Sequence, residues 1–338
     1  MTFATPHAAL RQQASRLARS GAWGDLAALL GEPADEAPFM VAELVTLRAE
    51  SLMFTGRPRD ARDWLVRRIP ELAHRRERAA LRSCTNMLGV AHFTLGDLES
   101  ARTAFERALE LGHQDRDALT VARATNNLGA IANVRGAREE ALAHYQLAVP
   151  AYQHLGNAIG LAQSFHNIAI TFRDLAQLDR ADEFERRAIE FARQGGSTPL
   201  ALLARLGRAE VCLRSGDATL AEARGREAAR GFAAIGDEGN EGDAWRLVGE
   251  ALTAQGRHAA AGEVLDAALV RARLHGSALH EAESLRARAA LRMQSGYSLG
   301  AEEDARAALE IYERLGAVTE VAALRVFVDG VAAVTARH

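Results

Sequence analysis

The stretch Leu88–Ala108, LGVAHFTLGDLESARTAFERA, decides the architecture. Leu88, Ala91 and Leu95 recur at helical spacing before Gly96, and Ala101, Phe105 and Ala108 do so after it, which predicts two amphipathic helices folded about a short turn. Glycine suits the turn because a helix commonly ends on a residue at positive φ, a conformation that costs glycine almost nothing. Asp97 is placed to cap the helix that follows. Asp217 repeats that placement, whereas Arg257 and Tyr297 do not.

Counting in forties from Gly56 gives Gly56, Gly96, Gly136, Ala176, Gly216, Gly256 and Gly296. Five residues after each stands an alanine, from Ala61 and Ala101 through to Ala301, and seven before each stands a small residue, such as Ala49, Gly89, Gly129 or Gly249. A second forty-residue series, Gly156, Gly196, Gly236, Gly276 and Gly316, marks the handover from one hairpin to the next. A register held without insertion predicts a solenoid of stacked units. The fold class is all-α, a right-handed α-solenoid of stacked antiparallel helical hairpins. The small residues fall where paired helices approach closely, so a larger side chain there forces overpacking. Arg116 occupies the slot of the second glycine series, with Leu111-Gly112 four residues early, which predicts a locally irregular loop. Pro150 predicts a kink or early break in the second helix after Gly136.

The residues Leu88-Gly89, Gly96, Ala101, Phe105 and Ala108, and in the next unit Leu128-Gly129, Gly136, Ala141, Tyr145 and Ala148, resemble the tetratricopeptide repeat, whose usual period is about 34 residues. The longer unit is similar to that of kinesin light chain, spindle-orientation adaptors, Rap-type peptide receptors and MalT-type sensor arrays. The resemblance runs from about Val41 to His338. It implies a superhelix whose first helices line a concave face, and it is specific for fold and poorly specific for function. In three units the leucine-type slot eight before the turn carries Arg48, Arg208 and Arg288, expected to lie along the surface with buried stems. Gly225 and Ala305 replace the later aromatic.

The domain plan is a degenerate N-terminal hairpin or cap over 1–38, with Gly21 as its turn, seven repeats over 39–316 and a capping helix over 317–338. Val321, Leu324, Val328 and Val331 form an apolar stripe on that last helix, which makes it a candidate homodimer surface. No basic stretch followed by a long apolar core opens the chain, and no run is long enough to cross a bilayer, so a cytoplasmic, bacterial-type protein is expected. All 41 basic residues counted as Lys or Arg are arginine, which excludes lysine Schiff-base chemistry. Cys84 and Cys212 are too far apart in the array for a disulfide. The net charge of −3 hides an asymmetry, with nine arginines against four acids over 57–82 and twelve acids against seven arginines over 237–304. The basic segment lacks interleaved aromatics beyond Trp64, so nucleic acid is not the partner expected.

In the concave face implied by the resemblance, the position ten before each turn runs Thr46, Asn86, Asn126, His166, Leu206, Arg246 and Arg286. Arg123, Asn133, Gln163 and Arg173 flank the row in the middle, and Asp243, Glu250 and Glu283 toward the end. Amides donate and accept at once and suit an extended peptide backbone, and arginine forks suit carboxylates. The candidate groove is therefore Asn86, Arg123, Asn126, Asn133, Gln163, His166, Arg173, Arg246 and Arg286. Asn127 and Asn167, one position on, suit hydrogen bonds between helices instead. His275 and His280 are five apart and do not make a helical metal pair. No catalytic, cofactor or metal site is expected. The function expected is a non-catalytic scaffold or adaptor for a protein segment or peptide; the alternative is a ligand- or peptide-sensing module with a separate output partner.

Overall fold

The computed structural model describes residues 6–20, 22–31 and 41–335. They form seventeen helices and no strand among the described residues. Gly21, the expected turn of the first hairpin, and Ala336–His338 lie outside the described residues. Two compact units result, Met1–Ala124 and Thr125–His338, and their border falls within α7 (Ala118–Val134).

The first unit holds α1 (Pro6–Ser20), α2 (Trp23–Leu30), α3 (Ala42–Phe54), α4 (Pro58–His74), α5 (Arg78–Thr94) and α6 (Leu98–Asp115). The second holds the hairpins' helices α8 (Arg138–His154), α9 (Ala158–Asp174), α10 (Leu178–Gln194), α11 (Thr198–Arg214) and α12 (Ala218–Ala234). It continues through α13 (Glu238–Ala254), α14 (His258–Leu274), α15 (Ala278–Gln294), α16 (Ser298–Leu315) and α17 (Val318–Thr335). Consecutive helices pack together within α1 to α6 and within α8 to α17, and the first helices also touch one another in the order α9, α11, α13, α15, which gives the second unit a face made of first helices.

Each turn is closed by the same backbone bonds. The Gly96 N–H donates to the Phe93 carbonyl at 3.0 Å and the Asp97 N–H to the His92 carbonyl at 2.9 Å, the paired bonds of a helix ending on a left-handed residue. Gly96 has φ 82°. The Asp97 carboxylate then accepts from the Ser100 N–H at 3.1 Å, and Asp217 caps α12 in the same way, as expected. The loop after α6 is not irregular. Arg116 simply adopts φ 54° itself, and its N–H and that of Asp117 make the same two bonds, to His113 and Gly112. The register therefore holds through a residue that is not glycine. Pro150 causes no early break either, because α8 runs on to His154. Pro150 and Gln146, whose carbonyl loses its partner, are both exposed, so water can take the place of the missing N–H.

All seven alanines five after the turn are 0% exposed. Opposite them, a Cβ on Gly129 would stand 2.6 Å from the Tyr145 ring and one on Gly89 2.5 Å from Phe105. Glycine at these positions is thus what lets an aromatic ring lie flat on the partner helix. The three off-pattern arginines are not surface residues with buried stems. Arg48 is 1% exposed and donates to the Ala27 carbonyl at 3.1 Å. Arg208 pairs with Asp182 at 2.6 Å and Arg288 with Asp304 at 2.7 Å, each tying a first helix to a second one. The apolar stripe of α17 is committed within the chain, with Leu324, Val328 and Val331 buried. No helix among the described residues is long and apolar enough to cross a membrane.

Candidate functional site

Residues four apart on a first helix share a face, and the forty-residue period repeats that face on the next repeat. Glu210 and Arg214 on α11, Arg246 and Glu250 on α13, and Glu283 with Arg286 on α15 are brought together in this way with Arg173 near the end of α9. Opposite charges alternate across the four helices. Arg173 pairs with Glu210. Glu210 accepts from Arg246 at 2.7 Å, Arg246 pairs with Glu250 at 3.2 Å, and Glu250 pairs with Arg286 at 3.3 Å. Arg246 is the hub of this ladder. It is 3% exposed and also meets Asp243 at 2.7 Å and Glu283 at 3.6 Å.

Burial alone would lower the Arg246 pKa and raise that of Asp243. The carboxylates of Asp243, Glu283 and Glu250 reverse the first tendency and hold Arg246 well above its ordinary value. Arg246 and His280 reverse the second and hold Asp243 below the usual carboxylate range. Asp243, His280 and Glu283 offer three ligand atoms within 4.8 Å of one another, a grouping that the sequence spacing of the histidines did not suggest. The Arg246 guanidinium already lies against both of its carboxylates.

The ladder borders a cavity of about 410 Å³. Its far wall is α17, through Ala323, Leu324 and Phe327. That helix is fixed at its start. A Cβ on Gly136 would stand 2.9 Å from the Thr319 hydroxyl, and Arg138 pairs with both Asp174 at 3.3 Å and Glu320 at 3.6 Å. Burial raises the Glu320 pKa against the pull of Arg138.

The expected groove residues fall into four groups. Arg173, Arg246 and Arg286 line the cavity. Asn126, Asn133 and His166 are turned to internal partners. The Asn126 Oδ1 accepts from Ser164 at 2.9 Å, the Asn133 Oδ1 from Thr171 at 2.8 Å, and His166 Nδ1 lies 3.0 Å from Glu185. Gln163 is exposed on α9. Asn86 and Arg123 belong to the first unit, where Arg123 is exposed and its charge acts on half-buried Glu50, whose pKa burial raises. Glu185 stands nine after its turn, the slot of Phe105 and Tyr145, and is 1% exposed. A Cβ on Gly207 would collide with its carboxylate. Sequence reasoning missed Glu210, Arg214 and the α17 wall. Glu210 and Glu250 share one register position, six before the turn, which was the available signal.

The repeat geometry is matched by family models. Residues 81–114 and 120–194 each match a tetratricopeptide-repeat model. The chain carries tetratricopeptide repeats. No curated protein matches the chain. Among solved structures, a Rap protein complexed with the competence and sporulation factor is similar at TM-score 0.62 and 13% identity, over 98% of this chain and 99% of that one. The aspartyl phosphate phosphatase F of Bacillus subtilis is similar at TM-score 0.52 and 13% identity, over 98% and 95%. The Cut9 and Hcn1 hetero-tetramer of the APC/C is similar at TM-score 0.59 and 14% identity, over 93% of this chain and 55% of that one. At these identities the likeness is one of fold.

Proposed function

We propose that this tetratricopeptide-repeat protein is a non-catalytic binding module that takes a short protein or peptide segment on the first-helix face of Thr125–His338. The observation that carries the reading is the cavity between that face and α17. Its volume lies within the range of about 300–1,000 Å³ common to ligand pockets, and its wall combines apolar side chains with a few charged ones. Arg173, Arg246 and Arg286, expected from the sequence, stand in it, whereas Asn126 and Asn133 serve the scaffold. A Rap protein of the same fold was crystallised with a competence and sporulation factor, which is consistent with ligand binding by such an array. The charged groups of the ladder neutralise one another, an arrangement suited to binding and rigidity rather than to proton transfer.

A sensing role is favoured by one feature, the α17 wall. A ligand seated between α17 and the ladder would bias the Arg138–Glu320 contact at the start of that helix. Peptide display selection against the wild type and an Ala290→Trp variant, which fills the cavity, tests the binding reading. Recovery of a consensus peptide bound at least about tenfold more weakly by the variant is expected. Equal binding to both proteins, or no consensus, would overturn it.

A further inference from the structure

The cavity holds one cation that the ladder leaves out. Arg173, Arg246 and Arg286 each have carboxylate partners, but Arg214, which lines the same wall, makes no ion pair or side-chain hydrogen bond with a described residue. Four arginines line the cavity, Arg173, Arg214, Arg246 and Arg286, against three glutamates, Glu210, Glu250 and Glu283, and Asp243 behind Arg246 makes a fourth acid, so Arg214 is set apart by its lack of a partner rather than by net charge. Partial burial lowers the Arg214 pKa, and the guanidiniums of Arg173 and Arg286 lower it further, while Asp174 and Glu250 oppose them. Arg173 adds a second unfilled donor, because its buried Nε has no hydrogen-bond partner and lies 3.6 Å from the nearest Asp174 oxygen. Beside these donors stand Leu213, Ala254 and Leu247, with Leu324 and Phe327 across the cavity.

We infer that this cavity binds a carboxylate carrying a compact apolar group, with Arg214 as the cation that receives the carboxylate. An arginine fork matches a carboxylate with two parallel hydrogen bonds, and the ligand would supply the partner that Arg214 lacks within the chain. The apolar group occupies the space against α17. Two sources supply this chemistry, the C-terminal residue of a peptide chain and a free small acid. The inference deepens the binding function proposed above and rests on it.

Titration calorimetry with N-acetylleucine, N-acetylleucinamide, acetyl-Ala-Ala-Leu and its C-terminal amide tests it directly. Both acids are expected to bind at least about tenfold more tightly than their amides, and the Arg214→Gln protein is expected to lose that discrimination. Arg214 has no ion-pair partner to lose and is only partly covered by the chain, so the variant is expected to keep the wild-type helical signal and melting temperature. A tripeptide tighter than N-acetylleucine identifies a chain terminus as the source; equal affinities identify a free acid. Amides as good as acids, no saturation by either acid up to about 10 mM, or unchanged discrimination in Arg214→Gln would overturn the inference. If peptides with blocked C-termini were selected by display and lost in Ala290→Trp, the binding module would stand and only the carboxylate site would fall.

Discussion

Replacing Arg246 with methionine removes the hub of the ladder while keeping much of its apolar stem. Arg246 is 3% exposed and serves Glu210, Asp243, Glu250 and Glu283 from four positions on three helices. Taking one partner out of a buried ion pair costs about 3–5 kcal/mol, because the other charge is left without compensation. The Arg246→Met protein leaves several carboxylates in that state, so the loss should lie toward the upper end. For a unit of this size about 1 kcal/mol corresponds to roughly 2–4 °C, which places the expected fall at about 6–20 °C at neutral pH. Thermal unfolding followed by far-ultraviolet circular dichroism measures it. Lowering the pH should restore part of the loss, since protonating the orphaned carboxylates removes their mutual repulsion. The Arg286→Met protein is the comparison, because that side chain is 40% exposed and its one ion pair, with Glu250, is of a kind that contributes about 0–1 kcal/mol. An Arg246→Met protein as stable as the wild type would refute the view that the ladder ties repeats together.

Three further outcomes follow from named contacts. Asp243 has its pKa held below the ordinary value, so its contribution is fully present above pH of about 4 and is lost as pH falls through the lower folded value. The stability gap between wild type and Asp243→Asn, measured by denaturant unfolding, should therefore be constant above that pH and close in stronger acid; a gap that widens in acid would reverse the assignment. Ala176 sits at φ 57° in the turn slot that glycine fills elsewhere, so Ala176→Gly should stabilise by about 1 kcal/mol, and a lower melting temperature would contradict it. In Gly129→Leu the new side chain begins 2.6 Å from the Tyr145 ring, and overpacking of about 1–3 kcal/mol is expected; an unchanged unfolding midpoint would show that the two helices have room.

The fold was legible because backbone demands recur with the period. A helix end needs a left-handed residue every forty positions, and the close approach of Gly129 to Tyr145 or Gly89 to Phe105 needs a small residue at a fixed offset. Those requirements belong to single positions, so one sequence displays them. The site was legible only as a face. Arg246 and Arg286 line the cavity, yet the sequence could not say that their partners would be Glu210 and Glu250 of the preceding repeats, because pairing depends on rotamer and on the stagger between helices. Asn126 shows the same limit. Its register position matches that of Arg246, but the hydroxyl of Ser164 lies within reach, and the amide turns to it. Arg48 was misread because its acceptor, the Ala27 carbonyl, lies in the N-terminal hairpin that stands outside the forty-residue register. Glu185 occupies an aromatic slot and is tolerated there by His166 from α9 and by the absence of a side chain at Gly207. Pairs of this kind break the local rule in a compensated way that a single-position pattern does not show.

Hydrogen exchange of the full chain with and without the tightest peptide recovered by display is the most direct measurement of where binding occurs. Binding at the cavity predicts slowed exchange in α11, α13 and α17, which carry Arg214, Arg246 and Phe327. Protection confined to the second helices α10, α12 and α14, or to Met1–Ala124, would contradict the account.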